Sequence, residues 1–277
     1  MIAYLTDLGL SNSVSHNSVQ EFLTPDGVLY IVMNRPEVQN AFNSKQIVLL
    51  TEALENAASN PEVKVVVLCG EGKNFCAGGD INYMKRMGQN SFQENKEDAL
   101  QLAHLMHTLN EFPKPTIARV NGAAYGGGVG LLCCCDMAFG TEDTKICLSE
   151  VKIGMVPATI APYVMNAIGL RNAHRLMLTA EVMQGQEAVN CNFLNAIFPT
   201  SEFSKKVDAL ALKITTNAPN ALEVTKSILL NLAHQPVDEG VIDYTADVIA
   251  SVRESEEGKE GLTSFIEKRK PNWTPKN

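Results

Sequence analysis

Basic residues are scarce in this sequence: 23 Lys and Arg against 31 Asp and Glu leave a formal net charge of −8 and a pI near 5.2. Nucleic-acid and anionic-membrane surfaces need a basic footprint, so neither is expected as a partner, and a polyanionic ligand must be met by local groups. No Lys or Arg occurs before Arg35, which argues against a mitochondrial transit peptide and a secretory leader alike. Apolar runs stay well short of the ~20 residues of a membrane span. The expected setting is cytoplasmic. The seven cysteines, at 69, 76, 133, 134, 135, 147 and 191, include no CxxC pair and no His at zinc-ligand spacing. Neither a disulfide framework nor a metal site is therefore expected, and no cofactor motif is present. Cys133, Cys134 and Cys135 are consecutive; on a helix they diverge by about 100° per residue and cannot converge on one ion. They read as small packing residues.

What is present is enough apolar content, 45% of 277 residues, for one large domain or a domain with an appendage. Residues 28–33 and 63–69 are short, β-branched runs bounded by turn residues and read as buried strands. Between them a helix is expected, with Asn43 as N-cap, Gln46 three residues on, and Ile47, Leu50, Leu54 and Ala57 on one face. Residues 116–120 read as a third strand, preceded by a helix carrying Leu102, Leu105, Met106 and Leu109. Strand and helix alternate, so the class is α/β. After residue 203 the pattern becomes helical throughout, with segments at 204–216, 220–232 and 238–255, which divides the chain into an α/β core over 18–203 and a helical region over 204–277. Amphipathic helices with spare apolar faces point to oligomer contacts. The Ser/Asn-rich stretch at residues 11–17 reads as a mobile tail.

Two glycine-rich turns each follow a strand: residues 70–80 (GEGKNFCAGGD) and residues 121–130 (NGAAYGGGVG). Glycines at a strand-to-helix turn let a ligand approach the backbone and leave the first helical N–H groups free to donate. Two such ends converging would cradle an oxyanion. Competing motifs fail on spacing. Gly70 and Gly72 do not complete GxGxxG, Lys73 is too near Gly70 for a phosphate-binding P-loop, and there is no GxSxG. His104 and His107 lack the Glu of HExxH and read as structural or surface residues.

The segments 34–42 (NRPEVQNAF), 75–80 (FCAGGD), 115–122 with Gly126, Gly127 and Gly128, 148–154 (LSEVKIG) and 265–270 (FIEKRK) together resemble the signatures of the enoyl-CoA hydratase/isomerase (crotonase) superfamily, in that family's order. The resemblance spans about residues 21–273. It implies a crotonase-type ββα spiral core with a helical C-terminal trimerisation region, assembled as a homotrimer or a dimer of trimers. It also implies an acyl-CoA substrate, with coenzyme A entering as part of that substrate and no separate cofactor. Gly79 and Gly127 match the positions whose backbone N–H groups bind the thioester oxygen, and Glu150 matches the catalytic carboxylate. Ala77, Asp80, Ile81 and Asn82 match the loop lining the CoA channel, Val38 the turn near the adenine, and Phe265 and Lys268 positions that reach a neighbouring subunit's CoA. Asp80 is equally suited to be an N-cap.

The pattern breaks at Gly130, where two-glutamate hydratases carry their other carboxylate. One carboxylate must then serve as base and acid, which suits isomerases, decarboxylases and some hydratases, and leaves room for a non-catalytic acyl-CoA-binding protein. In finer detail, residues 80–84, 118–131 and 148–163 are most similar to the bacterial methylglutaconyl-CoA hydratase branch, which tolerates Gly at this position. A distal substrate carboxylate would want a cation, and Lys85, Arg86 and Lys152 are the nearby candidates. Asn192, where relatives usually have Gly, tolerates the left-handed conformation. The expected function is hydration of an α,β-unsaturated acyl-CoA, with isomerisation or decarboxylation as the alternative.

Overall fold

The computed structural model describes residues 1–10, 14–16, 18–233 and 235–274. In chain order these form α1 (Ile2–Asp7), β1 (Val14–His16), β2 (Val19–Leu23), β3 (Val28–Met33), α2 (Ser44–Ser59), β4 (Val65–Gly70), α3 (Ile81–Met87), α4 (Phe92–Asn110) and β5 (Thr116–Val120). There follow β6 (Ala123–Tyr125), α5 (Gly127–Cys134), β7 (Met137–Thr141), β8 (Lys145–Cys147), α6 (Ala161–Thr179), β9 (Met183–Gln184), α7 (Gln186–Asn190) and β10 (Ala196–Phe198). Four helices close the chain: α8 (Thr200–Thr215), α9 (Pro219–Leu232), α10 (Glu239–Glu254) and α11 (Glu256–Ile266).

Strands β3, β4 and β5 are buried at every position, which is why their sequences are continuous apolar runs. They pair in parallel, Val28 opposite Val65 and Val66 opposite Thr116, at the middle of a seven-stranded sheet of order β1-β2-β3-β4-β5-β7-β10. One face of this sheet is covered by α2, α4, α5 and α6 through Leu50, Leu105, Met106, Leu131 and Val164. The other face is covered by α8, whose Phe203, Val207 and Ala211 lie against Val65, Val67 and Ile117, and by Leu5 of α1. A second, three-stranded sheet of order β6-β8-β9 stands after β5 and carries the second glycine turn.

Val14, Ser15 and His16 are not a mobile tail: they pair antiparallel with Glu21, Gln20 and Val19 as the outer strand β1. The added strand satisfies the hydrogen-bonding edge that β2 would otherwise expose. Ser11, Asn12, Ser13 and Asn17 of that stretch lie outside the described residues. The second strand starts at Val65, since Val63 N–H turns back to Asn60 O at 3.2 Å. Asn43 caps α2 by accepting from Gln46 N–H, but the Gln46 side chain makes no return bond. The final helical segment also divides in two. Ser255, with extended backbone, ends α10 and accepts from Gly258 N–H to start α11. Asn192 sits at φ 66°, in the left-handed region where Asn is tolerated.

Candidate active site

The loop that leaves β4 is stitched to its neighbours by buried amides. Asn40 Nδ2 donates to the carbonyls of Glu71 at 2.9 Å and Asn74 at 2.8 Å. Asn74 accepts from Ala123 N–H at 2.9 Å and donates to Gln39 Oε1 at 2.8 Å. Two short parallel bridges then bring three chain segments side by side, Phe42 with Gly79 and Cys76 with Ala124. Phe42 N–H donates to Gly78 O at 2.6 Å, and Asp80 N–H donates to Phe42 O at 2.8 Å. In this pattern the residue between, Gly79, directs its own N–H away from Phe42. Among the described residues that N–H has no backbone acceptor.

The second turn supplies a matching donor. Gly126 has φ 50° and ψ −121°, a conformation suited to glycine, and donates to Cys147 O at 3.1 Å. Gly127 begins α5, so its N–H is one of those that a helix leaves without an internal partner. A Cβ built on Gly126 would stand 3.8 Å from Gly78 Cα, so the two glycine turns are in contact. The same point lies 3.3 Å from Glu150 Oε1, which places the carboxylate over the junction. Gly79, Gly127 and Glu150, far apart in sequence, are thereby brought to one place.

Glu150 opens a 3-10 turn, Glu150–Ile153, directly after β8, and Gly154 closes it at φ 73°. Its Oε2 is buried without a hydrogen-bond partner among the described residues. Burial pushes the Glu150 carboxyl above the usual carboxylate range, with its own backbone N–H opposing weakly. Gly130 lies one helical turn beyond Gly126 and is buried; a Cβ there would meet Ile160 Cγ2 at 2.3 Å and Met106 Cε at 3.1 Å. Hydrocarbon occupies the place of a side chain at 130.

The remaining expected residues fall in three groups. Ala77, half-buried, donates its N–H to Gln39 O at 3.0 Å, and Val38, also half-buried, ends the 3-10 turn Pro36–Val38 beside it. Ile81 and Asn82 are exposed on the first turn of α3, adjoining Gly79. The Asp80 carboxylate is committed within the protein: it caps α3 through Asn82 and Tyr83 N–H and pairs with Arg35 at 2.7 Å. Phe265 and Lys268 are exposed at the end of α11, and among the described residues no hydrogen bond or ion pair joins them to the Glu150 group. Lys85, Arg86 and Lys152 are exposed. His104 and His107 are exposed as well, His104 standing 3.5 Å from Glu55.

Sequence reasoning passed over Arg35, Asn40, Phe42, Asn74 and Ile160. Loop residues carry no periodicity; the available signal was that Arg35, Asn40 and Phe42 fall within the 34–42 motif and Asn74 within the first glycine turn, while Ile160 had none. Two cavities, of about 370 and 430 Å³, lie elsewhere, one at Phe112 and Lys226 and one at Cys133 and Asn166. Neither touches Glu150, Gly79 or Gly127, so the converging groups and not the hollows define the site. Two preorganised N–H donors can stabilise negative charge developing on a carbonyl oxygen, and a carboxyl of raised pKa beside them can exchange a proton with the same molecule.

Comparison with known proteins gives the same picture. The family model described as Enoyl-CoA hydratase/isomerase matches residues 24–276. A Thermus thermophilus protein provisionally assigned as an enoyl-CoA hydratase is 35% identical over 246 residues, covering 89% of this chain and 97% of its own. The peroxisomal Delta(3,5)-Delta(2,4)-dienoyl-CoA isomerase of Arabidopsis thaliana is 30% identical, covering 90% of this chain and 94% of its own. The crystal structure of an enoyl-CoA hydratase from Shewanella pealeana superposes with a TM-score of 0.89 at 39% identity, covering 92% of this chain and 96% of that one.

Proposed function

The chain belongs to the enoyl-CoA hydratase/isomerase family, with the crotonase-type fold and a helical C-terminal region, and from that premise we propose that it adds water across the α,β double bond of an acyl-CoA thioester. The observation that carries the reading is the placement of Glu150 Oε1 over the junction of the two glycine turns, with Oε2 lacking a hydrogen-bond partner among the described residues. In the forward direction Glu150 takes a proton from water as the water oxygen bonds to Cβ. The π electrons move through Cα onto the thioester oxygen, where the N–H groups of Gly79 and Gly127 hold the enolate. One such donor is typically worth ~10²–10³ in rate. Glu150 then returns the proton to Cα. With Gly130 presenting no side chain and Ile160 filling its place, one carboxyl acts first as base and then as acid. Burial raises its pKa above the ordinary carboxylate range, which eases return of the proton in the second step.

The motif likeness to the methylglutaconyl-CoA branch nominates that branched, carboxylate-bearing ester as the first substrate to test. A double-bond isomerase is the second reading. It is favoured by the single carboxyl, since moving one proton between two carbons needs no second group, and by the Arabidopsis isomerase among the relatives. Incubating the purified protein with a panel of enoyl-CoA esters, including methylglutaconyl-CoA and a β,γ-unsaturated ester, separates the two. Loss of the conjugated thioester absorbance is expected from hydration. Its appearance from the β,γ ester, with no hydration of any α,β ester, would replace the hydratase reading with the isomerase one.

A further inference from the structure

Outside the converging groups themselves, the strongest feature at the site is a charged pair immediately behind the first oxyanion donor. Arg35 is mostly buried and its guanidinium forks: Nη1 donates to Ala41 O at 2.7 Å and Nη2 to Asp80 Oδ2 at 2.7 Å. The residues it grips are those flanking the Phe42–Gly79 bridge, one on each strand. The same turn is fixed from the other side, where Arg35 N–H donates to Asn40 Oδ1 at 2.8 Å and Asn40 holds the carbonyls of Glu71 and Asn74. Asp80 Oδ1 is used as the cap of α3.

We infer that Arg35 is a positioning residue for catalysis: it sets the register that turns Gly79 N–H toward the thioester oxygen, and it cancels the negative charge that Asp80 would otherwise place beside the forming enolate. The inference rests on the oxyanion reading above. Asp80 follows Gly79 directly, with Cα atoms about 3.8 Å apart. A bare carboxylate on the residue that follows the donor would oppose build-up of charge on the substrate oxygen, in the way that two neighbouring carboxylates oppose each other's ionisation. Asp80 is held ionised nonetheless. Burial pushes its carboxyl upward, but the Arg35 hydrogen bond and the N–H groups of Asn82 and Tyr83 outweigh it and carry its pKa below the usual value. A carboxylate that is kept charged for capping therefore needs a permanent cation, and Arg supplies one whose planar fork also reaches the Ala41 carbonyl.

A brace and a charge-compensating brace predict different mutant patterns. The variants Arg35→Gln, Asp80→Asn and the double variant are compared for kcat and KM on the best ester of the panel, with Arg35→Lys as the charge-retaining control. Asn keeps the capping oxygen without the charge. Arg35→Gln is expected to lower kcat about 10–100-fold, on the scale of losing much of one oxyanion donor, with KM within about threefold. The double variant is expected to recover at least half of that loss on a logarithmic scale, and Arg35→Lys to fall between. Unchanged kcat in Arg35→Gln, or a double variant as poor as the worse single, would overturn the inference. Infrared spectra of a bound, unreactive acyl-CoA keep this separate from the premise and do not depend on turnover. The thioester carbonyl stretch should move to lower frequency in the parent and return toward the free value in Arg35→Gln. A shift retained in full by Arg35→Gln overturns the role of Arg35 alone; no shift in the parent removes the oxyanion reading and the inference with it.

Discussion

Glu150 sets one oxygen over the junction of the two glycine turns and leaves the other buried without a hydrogen-bond partner among the described residues, a costly arrangement that folding alone would not favour. Glu150→Gln keeps the shape and removes the exchangeable proton, so turnover should fall by at least ~10²–10⁴ while acyl-CoA binding stays within a few-fold. Steady-state assays with equilibrium binding of a saturated acyl-CoA measure both. The same substitution has an opposite effect on stability. The folded-state pKa of Glu150 is raised above its ordinary value of 4.5 by burial. Below that value the carboxyl is protonated in both folded and unfolded chains and carries no penalty. As pH rises through the folded pKa, the buried carboxylate increasingly favours unfolding. The Gln variant should therefore melt higher than the parent at pH 8, with the gap closing at pH 4. Calorimetry at the two values is the check, and a parent that is the more stable at pH 8 would contradict the burial argument.

At the scale of elements, the meeting of α5 with the start of α6 decides what Gly130 can become. Ile160 is the residue before α6, and its Cγ2 would lie 2.3 Å from a Cβ at 130, closer than real contacts allow. Gly130→Glu alone should cost about 1–3 kcal/mol of stability as an overpacked core, before any effect of a second charge near Glu150. Ile160→Ala alone opens a cavity and should cost about 2–4 kcal/mol. Together they should cost at least ~1 kcal/mol less than the sum, because the alanine removes the clashing atom. Urea denaturation of the four proteins tests this cycle, and strict additivity would show that Ile160 is not what excludes a side chain at 130. The elements that were legible in the sequence are those with a period or a continuous apolar run, namely β3, β4, β5, α2, α4, α8, α9 and α10. The short strands β1, β6, β8 and β9 were not, because two or three residues carry no pattern and their pairing is set by distant segments. The site followed the same division. Gly79, Gly127 and Glu150 were readable from motifs, whereas Arg35 was not, since its partner Asp80 lies 45 residues away and nothing local marks the pair.

At the scale of the whole molecule, the three last helices bury almost nothing of themselves within one chain: among their described residues only Lys226 and Ser264 are buried. Lys226 is held by Asp136 at 2.8 Å, which together with the partly buried Leu222 anchors α9 to the core. Ile242 is 57% exposed, Leu262 57%, Ile266 75% and Phe265 83%, so apolar faces of α10 and α11 stand in water. Helices of this length draw most of their stability from burying such a face, and exposed apolar surface concentrated on helices of this kind points to a contact between proteins. A closed, symmetric assembly is the economical way for one sequence to cover it, and it would also give Phe265 and Lys268 a site to act on, namely the CoA bound to the neighbouring copy. Sedimentation of the full chain at micromolar concentration is expected to show three or six chains. Introducing Ile249→Asp with Leu262→Asp should shift the protein toward single chains. If the C-terminal residues reach a neighbour's ligand, KM for the acyl-CoA should rise in proportion to the dissociated fraction and fall again at higher protein concentration. A parent that sediments as one chain and turns over with a KM independent of protein concentration would mean that these faces are covered by something other than a second copy.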